Sequence, residues 1–231
     1  LVARARFEAL APRAEWMSAP RDPANGDPGV SIGLLLVELA RSGRRVVRLK
    51  GGDPSVFARL AEETQPLREA GLAFETVPGV TAALAAAAAA GIPLTARAAS
   101  SSLTLLTGHD AAGKECSLDI GALAGLPGTL VVYMGVASAP TWAAALVAAG
   151  RPAGTPVAIV ERCSLPDERV TRTTLAALGR VDVPPAFDAP AVAIVGDVAT
   201  GAATPESARA VLAGRVVLVT RPEGQAEIGR A

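Results

Sequence analysis

The sequence predicts an α/β fold with mixed sheets, and three observations carry that expectation. Short runs rich in Val, Leu and Ile alternate along the chain with segments whose apolar residues recur every three or four positions. Gly, Pro and Asp punctuate most of the junctions between them. One run, 169–174, instead alternates charged and small residues like an exposed antiparallel strand, so a purely parallel sheet is not expected.

Taken in order, residues 20–29 are dense in Pro, Gly, Asp and Asn and read as a loop. Ile32, Leu35, Leu36 and Leu39 then repeat at helical spacing, and Gly43 closes that helix. Val46, Val47 and Leu49 form a short strand that ends in Lys50-Gly51-Gly52-Asp53-Pro54. A second helix follows, with Val56, Leu60, Thr64 and Leu67 on one side. Residues 74–77 read as a strand with Pro78-Gly79 as its turn, and the Ala-rich run to Ala90 reads as a helix ended by Gly91. In the second half, strands are expected at 103–107, 129–133, 157–160 and 191–195, with a helix carrying Trp142, Ala145, Leu146 and Ala149 between the second and third of them.

Breaks over 91–95 place a domain boundary near 97, giving an amino-terminal α/β unit over 1–97 and a second over 98–198. From Ala199 the composition shifts to Ala, Thr and Pro, a linker over 199–213 that holds a short helix at 206–212. A new strand at 216–219 opens the last segment, 214–231.

Composition excludes several classes of function. The chain has 231 residues, half of them hydrophobic but only 3% aromatic, so the core has to be built from Ala, Val and Leu. Twenty-two basic residues balance 22 acidic ones, leaving no global field toward nucleic acid or membrane. Lys50 and Lys114 are the only lysines; arginine, the other cation, grips carboxylates in two-pronged fashion. Cys116 and Cys163 are too far apart for a paired metal motif and His109 is the sole histidine, so no metal is expected and a reduced, cytoplasmic setting is the default. The apolar stretch 82–90 falls far short of the roughly 20 residues of a membrane helix.

The strongest local feature is Lys50-Gly51-Gly52-Asp53-Pro54 at a strand end. Glycines let a backbone approach a ligand closely, and a neighbouring carboxylate can hold ribose hydroxyls. The same turn is also a routine way to leave a strand. Arg59 and Glu62 share a helix face, as a surface ion pair would. Thr81 begins a helix and could serve only as its cap. Met134 follows a buried strand, and Arg97 stands at the expected domain junction. No phosphate-binding loop and no nucleophile turn with a histidine partner is present.

In this order the pieces resemble the tetrapyrrole methylase family, and within it the uroporphyrinogen-III C-methyltransferases, over residues 1–198. The resemblance rests on Val46 through Pro54 with Val56-Phe57, Arg59, Glu62 and Glu63; on Val77-Pro78-Gly79-Val80-Thr81-Ala82; and on Gly91-Ile92-Pro93-Leu94-Thr95. Thr107-Gly108-His109, Gly128 through Gly135 and Thr155-Pro156-Val157-Ala158 complete it. It implies two α/β domains with S-adenosylmethionine in the cleft between them, in a homodimer. Gly51, Gly52, Asp53 and Val56, with Thr81, Ala82 and Met134, would line the donor site, while Arg59, Glu62 and Arg97 would face the tetrapyrrole. The implied reaction is two methyl transfers to uroporphyrinogen III, giving precorrin-2.

The departures from the family pattern are specific. Its first strand and glycine-rich donor loop would lie before Leu1, a proposed proton-donating lysine falls at Pro20 or Arg21, and Ala58, Leu60, Ala61 and Ala96 replace other residues. Residues 1–231 alone are therefore expected to turn over little or not at all. Two alternatives stay open: a precorrin methyltransferase, and a relative that binds donor or tetrapyrrole without turnover. The tail from Gly214 to Ala226 resembles the opening strand of uroporphyrinogen-III synthase.

Overall fold

The computed structural model describes residues 10–19, 28–97, 99–108, 119–180 and 187–200. The expected helix at 206–212, the expected strand at 216–219, His109, Pro20 and Arg21 lie outside the described residues.

Five β-branched-rich runs become strands, at the positions their patterning predicts to within a residue: β1 (Leu103–Thr107), β2 (Thr129–Tyr133), β3 (Pro156–Glu161), β4 (Arg169–Thr174) and β5 (Ala191–Val195). They form one sheet in the order β1-β2-β5-β3-β4. Only β1 and β2 are parallel; β5 runs antiparallel to both β2 and β3, and β4 antiparallel to β3. The sheet is mixed, as the alternation over 169–174 requires.

Strand alternation sends successive side chains to opposite faces, and both faces of the central strands are covered. Val131, Tyr133, Ala158, Val160, Val192 and Ile194 pack against helix α3 (Ala82–Ala90). Leu130, Val132, Val157, Ile159, Ala193 and Val195 pack beneath α4 (Ile120–Gly125), α5 (Ala139–Ala148) and α6 (Leu175–Leu178). This coverage explains why β2 is buried along its whole length while β4, at the sheet edge, has no fully buried residue. Because α3 contributes Ala83, Ala86, Ala87 and Ala90 to the sheet's core, residues on either side of position 97 share one hydrophobic cluster. Alanine suits this place, since a small side chain lets the helix lie close on Val131 and Ile194.

The amino-terminal helices form their own pair. Helix α1 (Pro28–Arg41) starts two residues inside the expected loop because proline fits the first helical turn. Helix α2 (Leu60–Glu69) lies against it. A Cβ at Gly33 would come 2.7 Å from the Glu63 carbonyl oxygen and 2.8 Å from Pro66 Cγ, so the close approach needs glycine.

Two expectations fail here. Neither 46–49 nor 74–77 forms a strand. A strand exists through its ladder, and among the described residues no segment pairs with either of them. Val47 is 79% exposed and Val77 69% exposed. The second helix also starts later than its apolar spacing suggests, because Phe57 and Arg59 take left-handed backbone conformations that leave Val56 in the preceding turn.

Candidate functional site

Strands β1, β2 and β3 all end at the same edge of the sheet, since β5 is antiparallel to its two neighbours. At that edge the last residue of β2, Tyr133, turns its ring toward α3. Its hydroxyl lies 2.7 Å from Thr81 Oγ1 and accepts the backbone N–H of Ala83 at 3.0 Å. Thr81 stands at the N-cap of α3, yet its side chain makes no capping hydrogen bond. The hydroxyl joins the helix start to the strand end instead. Nothing in the spacing of Tyr133 pointed to this pivot; its being the chain's only tyrosine, at the end of a buried strand, was the available signal.

The turn after Lys50 docks on the same place. Asp53 uses both carboxylate oxygens structurally: Oδ1 accepts the N–H of Ser55 at 2.8 Å, and Oδ2 accepts the N–H of Gly79 at 2.9 Å. Those two hydrogen bonds, that from Gly79 foremost, hold the carboxyl below its ordinary range. A carboxylate has about four acceptor positions, so the oxygens retain capacity for a ligand hydroxyl. A Cβ at Gly52, whose φ is +84, would lie 3.7–3.9 Å from the backbone of Val80, Thr81 and Ala82, and a side chain at Gly79 would collide with the Gly52 carbonyl. Val56 packs against the sheet's core, and the Phe57 ring lies 4.9 Å from the Tyr133 ring at a tilted 57°.

Met134 completes the group. It follows Tyr133 at φ +51 and is 55% exposed, so it is not the core residue that methionine after a buried strand suggests. The turn is fixed on both sides. Trp142 Nε1 donates to the Gly135 carbonyl at 2.8 Å, and Ser138 Oγ donates to the Gly108 carbonyl at 2.9 Å. A side chain at Gly108 would land on the Gly135 Cα. Phe57, Arg59, Met134, Arg162 and Ser164 are the described non-glycine residues with positive φ, and Met134 and Arg162 each directly follow a strand at this edge. Backbone held in such conformations gathers where geometry serves function.

The structure thus brings together Gly51, Gly52, Asp53, Val56, Thr81, Ala82 and Met134. Arg59 and Glu62 stand at the start of α2, immediately after Phe57. Arg97 is elsewhere. Ala96 bridges Ser100, whose hydroxyl lies 2.8 Å from Thr129 Oγ1 at the beginning of β2, so Arg97 sits at the opposite edge. At ~3.3 Å per residue the two ends of a five-residue strand are roughly 13 Å apart. Arg97 lines its own hollow of about 390 Å³ with Thr95, Ala96, Ser100 and Ser101. Among the described residues no group of His, Cys, Asp or Glu could hold a metal ion. No helix among them is long and apolar enough to cross a membrane.

The chain belongs to the Tetrapyrrole (Corrin/Porphyrin) Methylases, whose family pattern residues 4–179 match. Among its relatives is the siroheme synthase of Chromobacterium violaceum, 46% identical over 171 residues, which cover 74% of this chain and 36% of that protein. Another is the S-adenosyl-L-methionine-dependent uroporphyrinogen III methyltransferase of Methanosarcina barkeri, 45% identical over 168 residues, covering 72% of this chain and 66% of that one. Among solved structures, the uroporphyrin-III C-methyltransferase of Thermus thermophilus complexed with S-adenosyl homocysteine superposes with a TM-score of 0.64 at 38% identity, covering 73% of each chain. The chain spans about a third of the length of the siroheme synthases it matches.

Proposed function

We propose that this protein holds S-adenosylmethionine at the Gly51–Asp53 turn and transfers its methyl group to carbons of uroporphyrinogen III. Two transfers give precorrin-2, which feeds sirohaem and cobalamin synthesis. The observation that carries the reading is the docking of that turn, through Asp53 and Gly79, beside Thr81, Tyr133 and Met134. The methyltransferase relative from Methanosarcina barkeri and the solved Thermus thermophilus relative complexed with S-adenosyl homocysteine support it.

In this reading Gly51, Gly52 and Ala82 present backbone to the donor, Asp53 offers its remaining lone pairs to ribose hydroxyls, and Val56, Thr81 and exposed Met134 line the rest of the site. The sulfonium methyl is already a good electrophile and the pyrrole carbon is already electron-rich. The protein mainly aligns them and manages one proton per transfer. Arg59 and Glu62, next to the turn, take the substrate's near side. A substrate with eight carboxylates reaches more than one cation, so Arg97 is assigned to a peripheral carboxylate and not to the reacting carbon.

The deciding experiment incubates the protein, expressed from its complete reading frame, with S-adenosylmethionine and uroporphyrinogen III and counts added methyl groups by mass spectrometry. Two methyls are expected. Binding of S-adenosyl homocysteine with no methyl added would leave a binding protein; neither binding nor transfer would end the reading.

A further inference from the structure

The donor turn has a difficult approach. Residues 44–50 carry no ladder hydrogen bonds, yet they must deliver Gly51–Asp53 to within hydrogen-bonding distance of Gly79. One buried carboxylate bridges the gap. Glu63, 5% exposed, takes Arg48 in two-pronged fashion, Nε to Oε2 and Nη2 to Oε1, both at 3.1 Å. Its Oε1 also lies 2.8 Å from the Lys50 ammonium, an ion pair outside hydrogen-bond geometry; the Lys50 side chain is 9% exposed, and its nitrogen has no hydrogen-bond partner among the described residues. Arg48 closes the loop by donating from Nη1 to the Leu49 carbonyl at 3.0 Å. Two side chains flanking Leu49 are therefore pulled to one point, which fixes the backbone immediately before Gly51.

That point is itself anchored. Glu63 lies in the first turn of α2, its N–H bonded to the Arg59 carbonyl at 3.2 Å, and its own carbonyl is where α1 comes closest, at Gly33. The chain of contacts runs from α1 to α2, from Glu63 to Arg48 and Lys50, and from there to the turn and Gly79. Glu63 and Lys50 are buried and Arg48 is about one third exposed, and burying such charges is a poor way to gain stability, because desolvation offsets much of the attraction. What such a cluster supplies is direction: charged hydrogen bonds hold in few geometries.

We propose that Glu63, through Arg48 and Lys50, is the positioning residue for the methyl donor, setting the Gly51–Asp53 turn in its binding geometry without touching the donor itself. The inference rests on the proposed donor site. It explains why one of the chain's two lysines stands at position 50 and is spent on an internal contact.

The test compares the full chain with its Glu63→Gln variant by hydrogen–deuterium exchange and by calorimetric titration with S-adenosyl homocysteine. Exchange over 50–56 is expected to quicken about tenfold while 129–133 stays unchanged, and the dissociation constant to rise about tenfold, the scale of one lost charged hydrogen bond. Should Glu63→Gln fail to fold, Arg48→Gln carries the same test, since Lys50 still neutralises the carboxylate. Quickened exchange in both segments alike would mean a general structural role and overturn the proposal. So would a loosened turn with unchanged affinity. A wild-type chain that binds no S-adenosyl homocysteine would instead sink the donor reading, a result visible before any variant is made.

Discussion

Strand β2 and the segment leading to Gly51 meet at the same site but are held by opposite means. Strand β2 is fully buried, paired on both sides, and wedged between α3 and α5. The approach to Gly51 is exposed, unpaired, and fixed by a few charged and polar contacts, Glu63 to Arg48 and Lys50, and Asp53 to Gly79. Burial is non-directional and strong in sum, so it makes a rigid floor. Polar clamps are weaker but directional, so they can present backbone to a ligand and still let it enter and leave. The site joins a floor held by burial to a turn held by polar contacts.

The contrast is broken most severely from the floor. Ile159 is fully buried on the α5 face, and Ile159→Ala should cost about 3 kcal/mol, read from the urea midpoint, with donor affinity falling only as the folded fraction falls. Gly135→Ala comes next. Its Cβ would sit 2.5 Å from Val132 Cγ1 and 3.1 Å from Trp142 Nε1, at a cost of about 1–3 kcal/mol with the Met134 turn displaced. Tyr133→Phe tests the seam between the regions. It strands the Ala83 N–H and removes the Thr81 contact, so about 1–2 kcal/mol of stability should go, with a measurable loss of S-adenosyl homocysteine affinity.

Effects on the turn side should appear in binding and in pH dependence more than in global stability. Asp53→Asn is expected to weaken donor binding about tenfold and to lower the thermal midpoint at pH 7 by a small, measurable amount. Because the folded Asp53 carboxyl is held below its ordinary value by Gly79 and Ser55, whatever it contributes is fully present above about pH 4. It is lost as pH falls through the folded value. The wild-type and Asp53→Asn stability profiles should therefore converge in acid.

Glu161, at the end of β3, gives the same sign for a different cause. Arg169 donates to both its oxygens at 2.7 and 2.6 Å and, foremost among its contacts, holds it below the usual carboxylate range. Glu161→Gln should remove an acid-sensitive part of sheet stability and leave donor binding alone. A change in donor affinity in that variant would merge the two regions that the contacts keep apart.

Sequence reading named the strands of the sheet and also the helices α1, α3 and α5, the last two packing on its faces. Short runs of Val, Ile, Leu and Thr located the strands, and 169–174 announced its antiparallel edge by alternating charged and small residues. The same signal misled at 46–49 and 74–77, because β-branched residues state a preference while a ladder partner decides. It also placed Val56 on a helix, since spacing cannot reveal the left-handed conformations at Phe57 and Arg59.

For the site, local chemistry in the sequence singled out the Gly51-Gly52-Asp53 turn, because glycine beside a carboxylate is a local pattern, while Val56, Thr81, Ala82 and Met134 entered only through the family resemblance. Tertiary structure alone decided the rest. It turned Thr81 from a cap into a partner of Tyr133, made Asp53 the clamp on Gly79, drew Lys50 and Arg48 onto Glu63, and set Arg97 at the far end of β2. Local chemistry is written in neighbouring residues. Which distant group meets it depends on how the chain returns, and that is settled only when helix and sheet bury each other.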